Sequence, residues 1–144
     1  PIGLGARDTL RTEMKYSLYG HEINDSTNPF EAGLGWVVKM AKKDFLGKEY
    51  LQQIKDDGIK TKLIGFQLLE KGIPRQGYKV FSFDNKEIGE VTSGTMSPTL
   101  NDSIGIALVD MEFAELGTEF LVEIRSRKLK AKVVKTPFVN PRGA

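Results

Sequence analysis

The sequence has 144 residues, 40% of them hydrophobic and 28% charged, which is typical of a globular protein. It contains no cysteine and a single histidine, which excludes disulfide frameworks, thiol nucleophiles and thiolate zinc sites, so we expect no metal centre. The 21 Lys and Arg residues are nearly balanced by 19 acids, so the charge favours neither a nucleic-acid partner nor a membrane surface. We find no signal peptide or long apolar run, and we expect a reducing, cytoplasmic location.

The first predicted element is a helix from about Arg7 to Tyr19, ended by Gly20 in the left-handed conformation. Asp8 lies in its first turn and can pair with Arg11. Two stripes run along this helix at four-residue spacing. The stripe predicted to be buried consists of Leu10, Met14 and Leu18, and the cationic stripe beside it consists of Arg7, Arg11 and Lys15. We therefore predict a helix with a core face and a cationic edge.

The next forty residues are predicted to form a loop, a short strand and a second helix. Turn-forming residues cluster between His21 and Phe30, which indicates a loop. The segment 31–40, around Trp36, favours a short strand. Asp44 is the predicted N-cap of a helix over 47–55, with Leu51 and Ile54 facing inward.

From Lys62 onward the hydrophobic period changes to about two, which is the period of β-strands. About six short strands follow, including a hairpin around Asp84-Asn85 and a central strand over 104–109. Such a series favours a closed antiparallel β-barrel from about Lys62 to Phe138. The residues predicted to lie inside it include Phe66, Val80, Ile106, Val122 and Val133. The predicted fold is thus α+β, with a short helix and strand segment over 1–60 and a barrel domain over 61–144.

Five motifs in order resemble the aminomethyltransferase, or T-protein, family of the glycine cleavage system. They are Gly3-Leu-Gly-Ala-Arg-Asp-Thr-Leu-Arg11 with Leu18-Tyr-Gly20, Asp44-Phe-Leu-Gly-Lys-Glu49, Pro74-Arg-Gln-Gly-Tyr78, Gly89-Glu-Val-Thr-Ser-Gly94 continuing to Val109, and Thr136-Pro-Phe-Val139. The resemblance implies an enzyme that takes an aminomethyl group from the lipoyl arm of H-protein, releases ammonia and forms 5,10-methylenetetrahydrofolate. It implies tetrahydrofolate and H-protein as partners, and the same C-terminal barrel. The catalytic aspartate of the family lies upstream of the region matched, so we expect no catalytic residue in this chain.

The resemblance implies that Arg7 contacts folate, because the arginine of the family's Ala-Arg-Asp motif does so. A guanidinium can donate to a carboxylate or to a pterin oxygen. The alternative for Arg7 is a surface arginine paired with Asp8. Tyr16 can stack on folate, or it can be a core or rim tyrosine.

Other motifs have simpler interpretations. Gly3-x-Gly5 and Gly33-x-Gly35 lack the third glycine and the Lys-Ser/Thr ending of phosphate loops, and we reject both. The basic run over 125–135 alternates as a solvated strand face does. The segment 97–99 contacts a ligand or forms a turn, and His21 is interpreted as a cation at a helix end. We find no arrangement for acid/base chemistry among four scattered acidic residues, which are Asp8, Glu13, Glu22 and Glu31.

Two other functions fit the same residues. One is the folate domain of a dimethylglycine or sarcosine dehydrogenase or a related demethylase, which shares the barrel. The other is a barrel without catalytic activity that binds protein or RNA. The iron-sulfur-associated folate protein of the superfamily is disfavoured because its motif requires a cysteine.

Overall fold

The computed structural model describes residues 1–140, which form two α-helices and six β-strands. The helices are α1 (Leu4–Glu13) and α2 (Lys48–Asp57). The strands are β1 (Thr61–Leu68), β2 (Lys79–Phe81), β3 (Glu87–Ser97), β4 (Asp102–Asp110), β5 (Glu119–Ile124) and β6 (Arg127–Val134). Single 3-10 turns lie at Gly35–Val37 and Met111–Phe113.

The six strands form a closed antiparallel barrel in the order β1-β4-β3-β2-β5-β6. Closure occurs through the pairing of β6 with β1, so every strand has two neighbours and the sheet has no free edge. The predicted fold class is confirmed. The predicted division into the segments 1–60 and 61–144 stays a prediction. Residues 141–144 of the second segment lie outside the described residues.

The barrel interior is filled by alternating apolar residues from all six strands. Phe66 and Phe120 meet edge to face with ring centroids 5.6 Å apart. Gly105 is paired with Phe66 across the β1–β4 ladder, and a Cβ at Gly105 would collide with the Phe66 ring. The glycine therefore makes room for the largest side chain of the interior.

Four of the five residues predicted inside the barrel belong to this interior cluster, namely Phe66, Val80, Val122 and Val133. The prediction for Ile106 is right about its burial and wrong about the face of the sheet on which it lies. Ile106 is fully buried, but it alternates with the interior residue Ala107 and so lies on the outer face of β4. A continuous apolar run does not reveal which of its residues face inward, because both faces of the strand are covered.

The outer face of β1, β4 and β3 is covered by chain from outside the barrel. Leu63 and Ile104, like Ile106, are buried on this outer face. The Lys15 ammonium donates to the Leu63 carbonyl at 2.9 Å, and the Leu63 N–H donates to the Glu31 carbonyl at 2.8 Å. The segment 1–60 is therefore joined to the barrel along this side.

Helix α1 is shorter than predicted and buries a different face. It ends at Glu13 in a Schellman motif, in which Lys15 adopts the left-handed conformation at φ 55°. The N–H of Tyr16 donates to the Arg11 carbonyl at 2.8 Å and closes the motif. The predicted end at Gly20 is wrong because a lysine occupies the place where glycine is usual.

The predicted apolar stripe of α1 is also wrong. Leu10 is 60% exposed, while Met14 and Leu18 are only half-buried. The buried residues of this helix are Arg11, Thr12 and Glu13. The structure thus buries the polar side of α1 against the barrel.

The segment 31–40 forms a 3-10 turn at Gly35–Val37 rather than the predicted strand. Gly35 lies against the Phe30 ring, so the glycine serves close packing in a turn. The N-cap of α2 is Gly47, at φ 85°, and not Asp44. Leu51 and Ile54 are half-buried, so α2 has an inward side as predicted.

The predicted hairpin of β2 and β3 is confirmed, with Asn85 in the left-handed conformation at φ 64°. The turn between β5 and β6 is formed by Arg125 and Ser126, which adopt the left-handed conformation at φ 49° and 66°. Across residues 1–140, no helix is long and apolar enough to cross a membrane.

Candidate functional site

Arg7, the first predicted site residue, lies on α1 and is exposed to solvent. Its guanidinium makes no hydrogen bond or ion pair with any residue between 1 and 140. The predicted alternative paired it with Asp8, but that carboxylate accepts the Nε–H of Arg11 at 2.9 Å. Arg7 therefore offers an unneutralised planar donor group at the surface.

Arg11 lies one helical turn after Arg7 and has the opposite environment, with 8% of its surface exposed. Its Nη1 donates to Glu22 Oε2 at 2.8 Å, and its Nη2 donates to Ser93 Oγ at 2.8 Å. With the bond to Asp8, each guanidinium nitrogen has a partner. A buried cation must be satisfied in this way to be tolerated.

Glu22 is the carboxylate at the centre of this network, and its side chain is fully buried. Its Oε2 accepts Arg11 and the backbone N–H of Leu18 at 2.9 Å. Its Oε1 accepts the hydroxyls of Thr92 at 2.8 Å and Ser93 at 2.5 Å. Both oxygens are thus doubly hydrogen-bonded, which stabilises the buried ion pair.

A β-bulge in β3 brings both hydroxyls to the same carboxylate. The register of β3 against β4 shifts between Val91 and Ser93, leaving Thr92 as the extra residue. Regular alternation would point Ser93 into the barrel together with Val91. The bulge instead directs Thr92 and Ser93 outward together, towards Glu22.

A second buried carboxylate, Glu13, attaches the end of α1 further along β3. It accepts the Ser97 hydroxyl at 2.5 Å and the Thr99 hydroxyl at 3.1 Å. The Glu13 carbonyl also accepts the backbone N–H of Phe138 at 2.9 Å. The segment 97–99 therefore forms a turn that binds the protein's own helix.

The interpretation of His21 as a cation at a helix end is wrong, because α1 ends at Glu13. His21 lies in the turn before Glu22, and its Nδ1 is 3.0 Å from the Thr92 carbonyl and 3.3 Å from Ser93 Oγ. It adds a contact between this turn and the bulge.

Tyr16, the second predicted site residue, lines a cavity of about 370 Å³ beside the end of α1. The cavity is also lined by Lys15, Trp36 and Leu63, and both aromatic rings are largely exposed, Tyr16 by 62% and Trp36 by 73%. Burial lowers the pKa of the Lys15 ammonium below its usual value, and Lys62 lowers it further, while Glu22 opposes the shift. Arg7 does not line this cavity, so the structure does not place the two predicted residues in one recess.

A different cavity, of about 350 Å³, opens at one end of the barrel and is strongly basic. Its cationic lining residues are Lys71, Arg75, Arg125 and Arg127, over a floor that includes Ile124 and Leu129. The basic run over 125–135 is therefore only partly a plain solvated face. Lys128, Lys130 and Lys132 are exposed along β6, whereas Arg125 and Arg127 turn to this cavity.

Residues 61–140 match the family model described as the glycine cleavage T-protein C-terminal barrel domain. The chain belongs to the glycine cleavage T-protein family. Residues 1–42 match a second model of this family, described as the GCVT N-terminal domain.

Relatives within the T-protein family are close in sequence and in structure. The aminomethyltransferase of Bdellovibrio bacteriovorus is 70% identical over 138 residues, which are 96% of this chain and 38% of the relative. That of Bacillus subtilis is 55% identical over 139 residues, again 96% of this chain and 38% of the relative. The crystal structure of glycine cleavage system aminomethyltransferase T from Bartonella henselae superposes with a TM-score of 0.91 at 30% identity, covering 96% of this chain and 39% of that one. The chain thus spans about two-fifths of the length of these T-proteins.

The T-protein motifs quoted from the sequence meet in space at the junction of α1 and β3. Arg11 of the first motif and Glu13 just after it bind Ser93 and Ser97 of the fourth motif. Glu22 was missed as a member of this network because a lone glutamate in a turn has no distinctive spacing. The available signal was the hydroxyl-rich run in β3, which is unusual for a strand in a barrel wall and indicates a polar partner.

Proposed function

We propose that this chain forms the C-terminal portion of a tetrahydrofolate-dependent aminomethyltransferase of the glycine cleavage system. In this reaction the aminomethyl group leaves the lipoyl arm of H-protein, ammonia is released and 5,10-methylenetetrahydrofolate is formed. The relatives named aminomethyltransferase support this function over the dimethylglycine and sarcosine dehydrogenase branch. The expected cytoplasmic location stays a prediction.

The observation that carries the proposal is the guanidinium of Arg7, which has no partner among residues 1–140 and lies on a helix that is fixed to the barrel. Folate bears carboxylates and a pterin carbonyl, and both are acceptors that a planar guanidinium binds through two hydrogen bonds. Tyr16 and Trp36 provide exposed aromatic faces beside the other end of the same helix. These residues fit a flat ligand with an anionic tail.

This chain would then bind and orient folate without performing the chemistry. Bound tetrahydrofolate supplies the nitrogen that accepts the one-carbon unit. Arg7 holds the ligand in place, which is a contribution of positioning. The carboxylate that the family uses for catalysis lies upstream of the region that this chain matches.

Replacing Arg7 tests the folate role in the parent enzyme. The parent enzyme is the aminomethyltransferase that would contain this chain and would have the same length as its relatives. Arg7→Ala is expected to raise the Kd for tetrahydrofolate about ten- to a hundredfold, because a charge-assisted hydrogen bond is lost. Arg7→Lys should recover only part of the affinity, since an ammonium lacks the planar fork. Isothermal titration calorimetry gives the Kd, and thermal melting reports whether the fold is intact.

Arg127→Ala is the matched control, because Arg127 is also exposed but lies on the barrel away from α1. It should leave the Kd for folate unchanged. An Arg7→Ala enzyme with unchanged affinity and an unchanged melting curve would return Arg7 to the ordinary surface and remove the folate role.

A further inference from the structure

Helix α1 is attached to the barrel by polar side chains rather than by apolar packing. Its buried residues are Arg11, Thr12 and Glu13, while Leu4 and Leu10 are exposed. Apolar contacts are non-directional and allow a helix to slide or roll, whereas charge-assisted hydrogen bonds require a particular geometry. The orientation of α1 is therefore set by its hydrogen-bond partners.

Two charge-assisted attachments fix α1 along β3, in addition to a contact of 3.3 Å between the hydroxyls of Thr9 and Thr95. Arg11 is bound to Ser93 just after the bulge, and Glu13 is bound to Ser97 at the end of the strand. Two separated attachments on one strand leave little freedom for rotation about the helix axis. Arg7 leaves the helix one turn before Arg11, so the direction of its side chain follows from the same attachments.

Glu22 holds the first attachment together. It accepts the Arg11 guanidinium and both hydroxyls of the bulge, and it lies outside α1 on the turn that follows. Without its negative charge, Arg11 would be a buried cation paired only with Asp8 at the edge of the site. Arg11 would then be expected to rotate towards solvent, which would change the orientation of α1.

We propose that Glu22 is a positioning residue for Arg7, acting through Arg11 and the β3 bulge to set the direction in which the Arg7 guanidinium is presented to folate. This inference rests on the proposed function, because it assumes that Arg7 binds the ligand. It assigns a role in ligand binding to a carboxylate that the ligand itself does not touch.

A double-mutant cycle in the parent enzyme tests this role. Glu22→Gln preserves the shape of the side chain and removes its charge, and we expect it to raise the Kd for tetrahydrofolate about tenfold. In the Arg7→Ala background the same change should leave the Kd unaltered, since the residue that Glu22 positions is gone. The melting temperature should fall by the same amount in both backgrounds, because that loss concerns the fold alone.

Ser93→Ala repeats the cycle with a milder change, and it carries the test if Glu22→Gln does not fold. Val122→Ala is the control for a general loss of stability, because Val122 is buried inside the barrel and away from α1. It should lower the melting temperature without changing the Kd for folate.

Two results would overturn the positioning role. One is a Glu22→Gln enzyme with unchanged folate affinity, and the other is an equal loss of affinity with and without Arg7. Failure of the proposed function is recognised separately, because Arg7→Ala alone would then leave the affinity unchanged, and the positioning role would fall with it.

Discussion

At the scale of single residues, two arginines one turn apart on α1 show how neighbours decide the role of a side chain. Arg11 has three acceptors within reach and is buried, whereas Arg7 has none among residues 1–140 and is exposed. An arginine that is satisfied within the fold contributes to structure, and one that is left unpaired is available to a ligand. Residue type alone does not distinguish the two.

Lys15 provides a prediction at the same scale, because burial lowers the pKa of its ammonium in the native state. Below the lowered native pKa the lysine is charged in both the folded and the unfolded chain, and the cost of burying the charge is present. Between the lowered native pKa and the usual value of 10.5, the unfolded chain binds more protons, so the contribution of Lys15 to stability rises with pH. Replacing Lys15 by Met removes this titration.

We therefore expect the free energy of unfolding of Lys15→Met, relative to the unmodified chain, to fall as the pH rises from about 7 to about 10. Urea unfolding across that range measures the difference directly. Subtracting the two curves cancels the other lysines and tyrosines, which are common to both proteins. A difference that stays constant with pH would show that the ammonium of Lys15 is fully solvated.

At the scale of elements, strands with a clear alternation could be predicted from sequence and the ends of helices could not. β5 and β6 alternate between buried and more exposed residues, and the residues predicted inside from these strands, Val122 and Val133, lie in the interior. The end of α1 was missed because Lys15 adopts a backbone conformation that the sequence normally marks with glycine or asparagine. The strand predicted around Trp36 was wrong because turn geometry and packing of Phe30 outweigh a short run of β-forming residues.

Ile106 gives a prediction for the element β4. It is fully buried on the outer face, so Ile106→Ala should cost about 2–5 kcal/mol in the free energy of unfolding. Leu108→Ala is the matched control, since Leu108 lies on the same face two residues along and is only half-buried. We expect a smaller loss there, measured by denaturant unfolding of both variants. A loss below about 0.5 kcal/mol at Ile106, the level of ordinary surface changes, would mean that Ile106 is not packed on this face.

At the scale of the whole molecule, the barrel could be predicted from physical patterns in the sequence, whereas the candidate site residues were predicted from the family resemblance. Closure, strand number and most of the interior could be predicted from alternation and turn residues. No physical pattern singled out Arg7, whose role came from the family motif, or Glu22, whose partners are far away in sequence. Polar networks between distant segments leave little local signal, because each member alone resembles a surface residue.

The length of the chain relative to the whole enzyme bears on whether it can catalyse the reaction by itself. This chain covers about two-fifths of the length of its relatives, and the resemblance places the catalytic carboxylate outside it. We expect the 144-residue chain alone to show no transfer of the aminomethyl group when it is supplied with aminomethylated H-protein and tetrahydrofolate. The longer Bdellovibrio relative, assayed in parallel, is the positive control. Turnover by the short chain at a comparable rate would mean that the catalytic group lies within these residues.

The attachment of α1 also has a consequence for how the chain folds as it is made. The helix is synthesised before the barrel strands, yet the partner of Glu13 is 84 residues away along the chain, and Phe138 is further still. A ten-residue helix has little stability by itself, and contacts of such long range form late. Helix α1 should therefore leave the ribosome before the barrel strands and yet be among the last elements to reach its place. Pulse-labelled hydrogen exchange during refolding should protect the amides of β4 before those of α1, and simultaneous protection would contradict this order.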